Sequence, residues 1–224
     1  MDNILEIFFL RDYEKKVNMK MMYYNYEFPY EEFYKYIEHL VNVPIADFLD
    51  YIFQELGEEG ITAKDIFQFS NFEDCTVNLC NLLKSCNNPG VTHIDAGRLL
   101  LSDGKKRKDG AYTKYGENHL KTGLLLGLIF SITNTYFLSS IGMVYNEINE
   151  NTRYKLLTRL ILRNKLVIRM IRATRNGKVN MRQFLYMLSD STFIRRRSNI
   201  KTILGILAES KEYDFHDLIS NFDF

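Results

Sequence analysis

The residues best suited to chemistry in this chain fall in one run, Thr192 to Leu207, TFIRRRSNIKTILGIL. At about 100° per residue, Phe193, Ile200, Ile203, Leu204 and Leu207 gather on one side, which predicts a core-facing helical stripe. Arg195, Ser198, Asn199 and Thr202 fall on the opposite side, with Arg196, Arg197 and Lys201 on its flanks or toward its N-terminal end. Arginine, asparagine, serine and threonine carry the groups that read base edges in a major groove, and flanking cations suit phosphates. A helix N-terminus adds a dipole that favours an anion. The bland alternative for the same pattern is a solvated basic face.

A second candidate helix, 116–127, sends Asn118, His119 and Thr122 outward on the same wheel, with Lys121 at the flank. Leu126 also points outward there, which suggests packing against another module rather than a purely solvated face. His119 has the pKa range of a general base, but no nucleophile or carboxylate stands at matching spacing. A cap or a phosphate contact is the expected role. The loop Ser102–Gly110 carries Lys105, Lys106, Arg107 and Lys108, which can neutralise backbone phosphate without reading sequence or can simply keep the loop in solvent. Lys114 and Tyr115 can extend that footprint.

Signatures of catalysis are missing. The sequence has no Gly-rich phosphate loop ending in Lys-Ser or Lys-Thr, no G-x-S-x-G elbow and no HExxH zinc helix. Glu14-x-Lys16 and Glu209-x-Lys211, with Asp2 and Asp190 upstream, have the composition of a metal-dependent nuclease fragment. Such enzymes place it on adjacent strands, whereas here a helix separates Asp190 from Glu209. Cys75, Cys80 and Cys86 stand five and six apart, unlike the CxxC pairs of zinc sites, and read as buried or idle thiols of a reducing compartment. The expectation is a non-enzymatic chain with no cofactor and no metal.

Pro29 can open a helix at Tyr30 in which Phe33, Tyr34, Ile37, Leu40 and Val41 keep helical spacing. Pro44 ends it, and a second helix runs from Asp47 to Leu56. Gly57 and Gly60 break the chain, and Thr62 to Asp65 has capping-box spacing ahead of a short helix to Phe69. Further helices are predicted at 74–86, stopped by Asn87-Asn88-Pro89-Gly90, and at 93–101. Residues 1–28, where Met19, Met21, Met22, Tyr23, Tyr24 and Tyr26 cluster, fit either a strand or a docking arm.

Leu120, Leu124 and Leu128 recur every four residues. Leu128-Ile129-Phe130, a polar turn from Ser131 to Thr135, and Tyr136-Phe137-Leu138 then read as strand, turn, strand. Ser139 and Ser140 can cap another helix. A helix feeding straight into a hairpin resembles the recognition helix and wing of the winged helix-turn-helix superfamily. A similar order follows: helices Asn151–Asn164 and Lys165–Thr174, a turn at Arg175–Lys178, a short helix Asn180–Leu188, and the Ser189–Thr192 cap cluster of the long helix. Leu156, Leu157, Leu160, Ile161, Ile168 and Ile171 share one side, and Lys155, Arg159 and Arg163 another. The tail to Phe224 fits a second wing. The fold class expected is therefore mainly α with small β-hairpin wings. Tandem winged helices at 73–149 and 150–224 would follow a helical segment at 1–72.

Residues 1–90 hold 7 Lys and Arg against 16 Asp and Glu, and residues 91–224 hold 22 against 12. This predicts an anionic partner, double-stranded DNA, for the second part. The acidic part is then expected to dock a protein partner or self-associate. No run is apolar enough for a membrane helix and the N-terminus lacks a basic leader, so a cytoplasmic location is expected. The winged-helix resemblance, loosely similar to segments accompanying bacterial restriction and phage-defence systems, implies a transcriptional regulator or DNA-recognition subunit. It equally allows a protein-binding scaffold subunit of the kleisin-interacting type.

Overall fold

A computed structural model of the chain describes residues 2–23, 27–55, 60–85, 90–210, 212 and 215–223. Tyr24, Tyr26, Leu56, the Gly57 break, Cys86, the Asn87–Asn88–Pro89 stop and Lys211 lie outside the described residues. The chain is mainly helical with one antiparallel hairpin.

Within 1–28 the described residues form two helices where a strand is one expectation, Asp2–Leu10 (α1) and Asp12–Tyr23 (α2), joined at Arg11, whose φ of 58° turns the chain between them. Helix Tyr30–Asn42 (α3) begins after Pro29 as its fixed φ favours, and Ile45–Glu55 (α4) begins directly after Pro44. The Thr62 capping box is present, but it opens only a single 3-10 turn, Ala63–Asp65. Then come Val77–Ser85 (α5), His93–Leu100 (α6) and Asp109–Leu126 (α7), which starts seven residues before the predicted boundary of 116. Gly127, at φ 76°, ends α7 in the left-handed conformation that glycine adopts without strain. Strands Ile129–Ile132 (β1) and Thr135–Leu138 (β2) pair with Ile132 opposite Thr135, and the turn between them uses Thr133 and Asn134 at φ 46° and 64°. Ser139 caps Ser140–Tyr145 (α8) through its hydroxyl, as read from the sequence.

Glu150–Leu162 (α9) and Lys165–Thr174 (α10) are separated by Asn164, whose carboxamide oxygen accepts from Leu166 and Val167 N–H. Val179–Asn180 (β3), Met181–Phe184 (α11), Asp190–Ala208 (α12), Phe215–Ser220 (α13) and Phe222–Asp223 (β4) complete the chain. The tail is not a second hairpin wing. Phe215 is fully buried on α13, and β4 pairs in parallel with β3, so the end of the chain is fastened to an earlier strand rather than folded on itself.

The chain divides into two compact units. One contains residues 10–36 and 68–153, the other residues 1–9, 37–67 and 154–224.

In the first unit, α6 and α7 cross so closely that a Cβ on Gly97 would collide with the Tyr112 carbonyl, and one on Gly116 with the His93 carbonyl. Leu79, Leu83, Ala96, Leu120, Leu126, Leu128 and Leu138 are buried, and Val91 forms an antiparallel bridge with Tyr136. β2 thus lies between Val91 and β1. Leu126, expected to face outward, is part of this core.

In the second unit, Phe8 meets Phe48 at 5.9 Å between ring centroids, and the apolar faces of α9, α10 and α12 are buried. Arg159 and Arg163, expected on a polar face, are also buried, at 0% and 6% exposure. Arg159 donates to the carbonyls of Leu40, Val41 and Val43 at 2.7–3.1 Å, filling the acceptors left open where α3 ends. It also donates to Lys155 O and forms a two-pronged pair with Glu212 at 2.9 and 3.1 Å. Arg163 donates to Phe8 O and lies 4.3 Å from the Phe8 ring centroid.

Candidate nucleic-acid interface

The α12 helix carries a cationic surface of four residues, Arg195, Arg196, Arg197 and Lys201. Its position is set by Arg182, which donates to the Leu185 and Leu188 carbonyls at 2.9 Å and to Asp190 at 2.8 Å while lying over the Phe193 ring. That clamp fixes the corner between α11 and α12. Ile200, Ile203, Leu204 and Leu207 are buried as the helical wheel requires. Arg195, Ser198, Lys201 and Thr202 are exposed, and Arg196 and Arg197 are half-exposed.

Asn199 departs from expectation: it is 7% exposed. It precedes Ile200 and lies four residues before Ile203, so it falls at the edge of the buried face, which is wider than the apolar residues alone suggest. Ile194 takes its place on the outer stripe at 62% exposure, and Tyr186, in the preceding loop, is 76% exposed. Ser198 Oγ donates to Arg195 O at 2.9 Å and Thr202 Oγ1 to Ser198 O at 3.2 Å, so both hydroxyl protons are used within the helix. Arg195 folds back along its own helix toward Ser191 O and Thr192 Oγ1, at 3.3 and 3.4 Å.

On α7, in the other unit, the expected outward set is largely covered. His119 and Thr122 are fully buried, and Asn118 is half-buried. The segment from Gln68 to Asp74 packs on this side of the helix. Thr122 Oγ1 accepts from Gln68 N–H and donates to Gln68 O, each at 2.9 Å, and Asn118 accepts from the Gln68 carboxamide. His119 Nδ1 lies 2.7 Å from Tyr115 O, which places the ring proton on Nδ1. Nε2 is then an acceptor, and it faces the N–H groups of Ser70 and Asn71 at 3.4 Å with Ser70 Oγ at the same distance. Burial pushes the His119 pKa down, against the opposing effect of the Tyr115 carbonyl and of Asp74. A neutral ring whose lone pair is directed at two backbone amides, with no surface of its own, works as a latch. Beside it, Tyr115 donates to Asp74 at 2.5 Å, and burial together with that bond pushes the tyrosine up to about 12.

The surface that α7 does present is rotated by roughly a quarter turn from the predicted one. Lys114 and Lys121 are exposed, and Glu117 between them accepts from both at 2.8 and 2.5 Å. Those lysines hold the Glu117 carboxyl down at about 2. His93, at the start of α6, faces Tyr136 OH at 2.7 Å and lies within electrostatic reach of the same three residues. In the basic loop, Lys105, Lys106 and Lys108 are exposed, while Arg107 is held by Asp103 through two contacts of 2.6 Å. Tyr112 OH pins the loop by donating to Lys105 O and accepting from Arg107 N–H.

In comparisons with protein-family models, curated proteins and solved structures, nothing matches this chain.

Among the described residues no group of three or more His, Cys, Asp or Glu could hold a metal ion, and no helix is long and apolar enough to cross a membrane. Glu14 and Lys16 lie on helix α2, with Glu14 buried, and Glu209 ends α12. Glu14, Lys16 and Glu209 do not lie on strands. Sequence reasoning named Lys114, Lys121 and Arg159, but it missed Glu117 between the two lysines, the exposure of Ile194 and the burial of Arg159. A wheel centred on α7 from Asp109 rather than 116 separates Lys114 and Lys121 from the Gly116, Leu120 and Gly123 face. No local signal marks Arg159, because most of its partners are backbone carbonyls.

Proposed function

We propose that this chain is a non-enzymatic protein that binds duplex DNA, with α12 as its principal contact surface. The observation that carries the reading is the outer stripe of α12, where Arg195, Ser198, Lys201 and Thr202 are exposed along one face of a 19-residue helix. A second support is topological. The order α5, Val91, α6, α7, β1, β2, with β2 between Val91 and β1, is that expected of a winged helix-turn-helix unit. Net charge lends no support, because the acidic residues 37–67 and the basic residues 154–224 belong to one unit holding 15 Lys and Arg against 15 Asp and Glu. The cations matter by position. A role as a transcriptional regulator or as the DNA-recognition subunit of a defence system fits this reading.

Fluorescence anisotropy of the purified chain with a labelled duplex tests it. Binding should weaken as salt rises, with a log–log slope of about −0.9 per phosphate neutralised. Absence of any affinity at low salt would remove the reading. The exposed Ile194 and Tyr186 favour a second reading, a scaffold subunit that binds protein through this same surface. That reading predicts no duplex affinity and a stable complex with a partner chain.

A further inference from the structure

Building on the DNA-binding reading, we infer that α12 grips the phosphodiester backbone of duplex DNA and does not read its base sequence. Base readout needs side chains with uncommitted, directional donor and acceptor pairs, above all the bidentate amide of Asn or Gln and the fork of Arg. The one carboxamide in the contact half of α12, Asn199, is buried at its inner edge. The two hydroxyls on the outer face, Ser198 and Thr202, donate their protons to carbonyls one turn back in their own helix. Ile194, at the N-terminal end of the outer stripe, has no hydrogen-bonding group to offer. What the face does present is positive charge on long side chains: exposed Arg195, whose guanidinium has only long contacts of 3.3 and 3.4 Å to Ser191 O and Thr192 Oγ1, and exposed Lys201, with Arg196 and Arg197 half-exposed on the flanks. Charges on flexible stems suit phosphate oxygens and are indifferent to the bases beneath them.

The test is a selection from a randomised duplex pool with the full chain, followed by salt titrations on one selected and one unrelated duplex. Backbone binding predicts a bound pool with the base composition of the input and equal affinity for both duplexes. Arg195→Ala should lower affinity for both alike and reduce the log–log salt slope by about 0.9. Arg195→Lys, which keeps the charge but loses the fork, should change affinity less than about 3-fold. An enriched motif, with Arg195→Lys weakening the selected duplex 10-fold or more while sparing the unrelated one, would overturn the inference and leave DNA binding intact. A chain with wild-type circular dichroism that binds neither duplex at low salt overturns both.

Discussion

Arg159 has no solvent exposure, and its guanidinium donates to four carbonyls and to the Glu212 carboxylate while lying 5.9 Å from the Phe48 ring centroid. Replacing a buried, fully bonded cation leaves its acceptors stranded, and the cost of the stranding exceeds what the ion pair itself contributed. Arg159→Met should therefore destabilise the protein by about 3–5 kcal/mol in chemical denaturation, and Glu212→Gln, which leaves the buried guanidinium without its counter-charge, should also destabilise it. His119 makes a pH-dependent contribution of definite sign. Its pKa is lowered in the folded chain, so its contribution is whole above about 6.5, the ordinary value of the ring. As the pH falls below that value, the unfolded chain takes up a proton that the buried ring resists. Stability declines until the lower pKa of the folded ring is passed. Unfolding free energies measured between about pH 7.5 and 5 should fall in the wild type and fall less in His119→Gln. A residual slope belongs to His93, whose pKa burial also lowers.

At the scale of elements, the α6–α7 crossing depends on two missing Cβ atoms. Gly116→Ala must push α6 away from α7, because the obstacle is the His93 backbone rather than a side chain that can swing aside. A loss of about 1–3 kcal/mol is expected, read as a lower Tm. Gly110→Ala, on the same helix with open space around it, should be neutral or mildly stabilising. How much of these elements was legible depends on where their determinants lie. The hairpin announced itself through two short apolar runs around Thr133 and Asn134, because turn and strand signals are local. The long C-terminal helix and its buried stripe were readable for the same reason. The covered side of α7 was not: Gln68 and Ser70, which cover it, are separated from it by about fifty residues of sequence. A helical wheel ranks faces by composition, and Asn118, His119 and Thr122 are as polar as a solvated face would be.

For the whole molecule, the separation of charge along the sequence does not survive folding as a separation in space. The acidic residues 37–67 and the basic residues 154–224 share a unit, and Arg175 approaches Asp50 at 4.0 Å while stacking on Phe53. A fragment spanning residues 150–224 would lack the α3 carbonyls that Arg159 caps and the Phe8 ring that Arg163 covers. Such a fragment should show no cooperative unfolding transition by circular dichroism, whereas the full chain should show one. A fragment that melts sharply would mean that the basic helices carry a sufficient core of their own.

The two buried thiols have a practical consequence. Cys75 directly follows the segment latched over α7, Cys80 lies on α5, and burial pushes both thiols up, so neither reacts in the closed chain. With Cys86 replaced by serine, the rate at which an alkylating reagent modifies Cys75 becomes a clock for the lifting of that segment, and Cys80 a second clock for opening of the helix beneath. If the former runs faster, the latch breathes ahead of global unfolding.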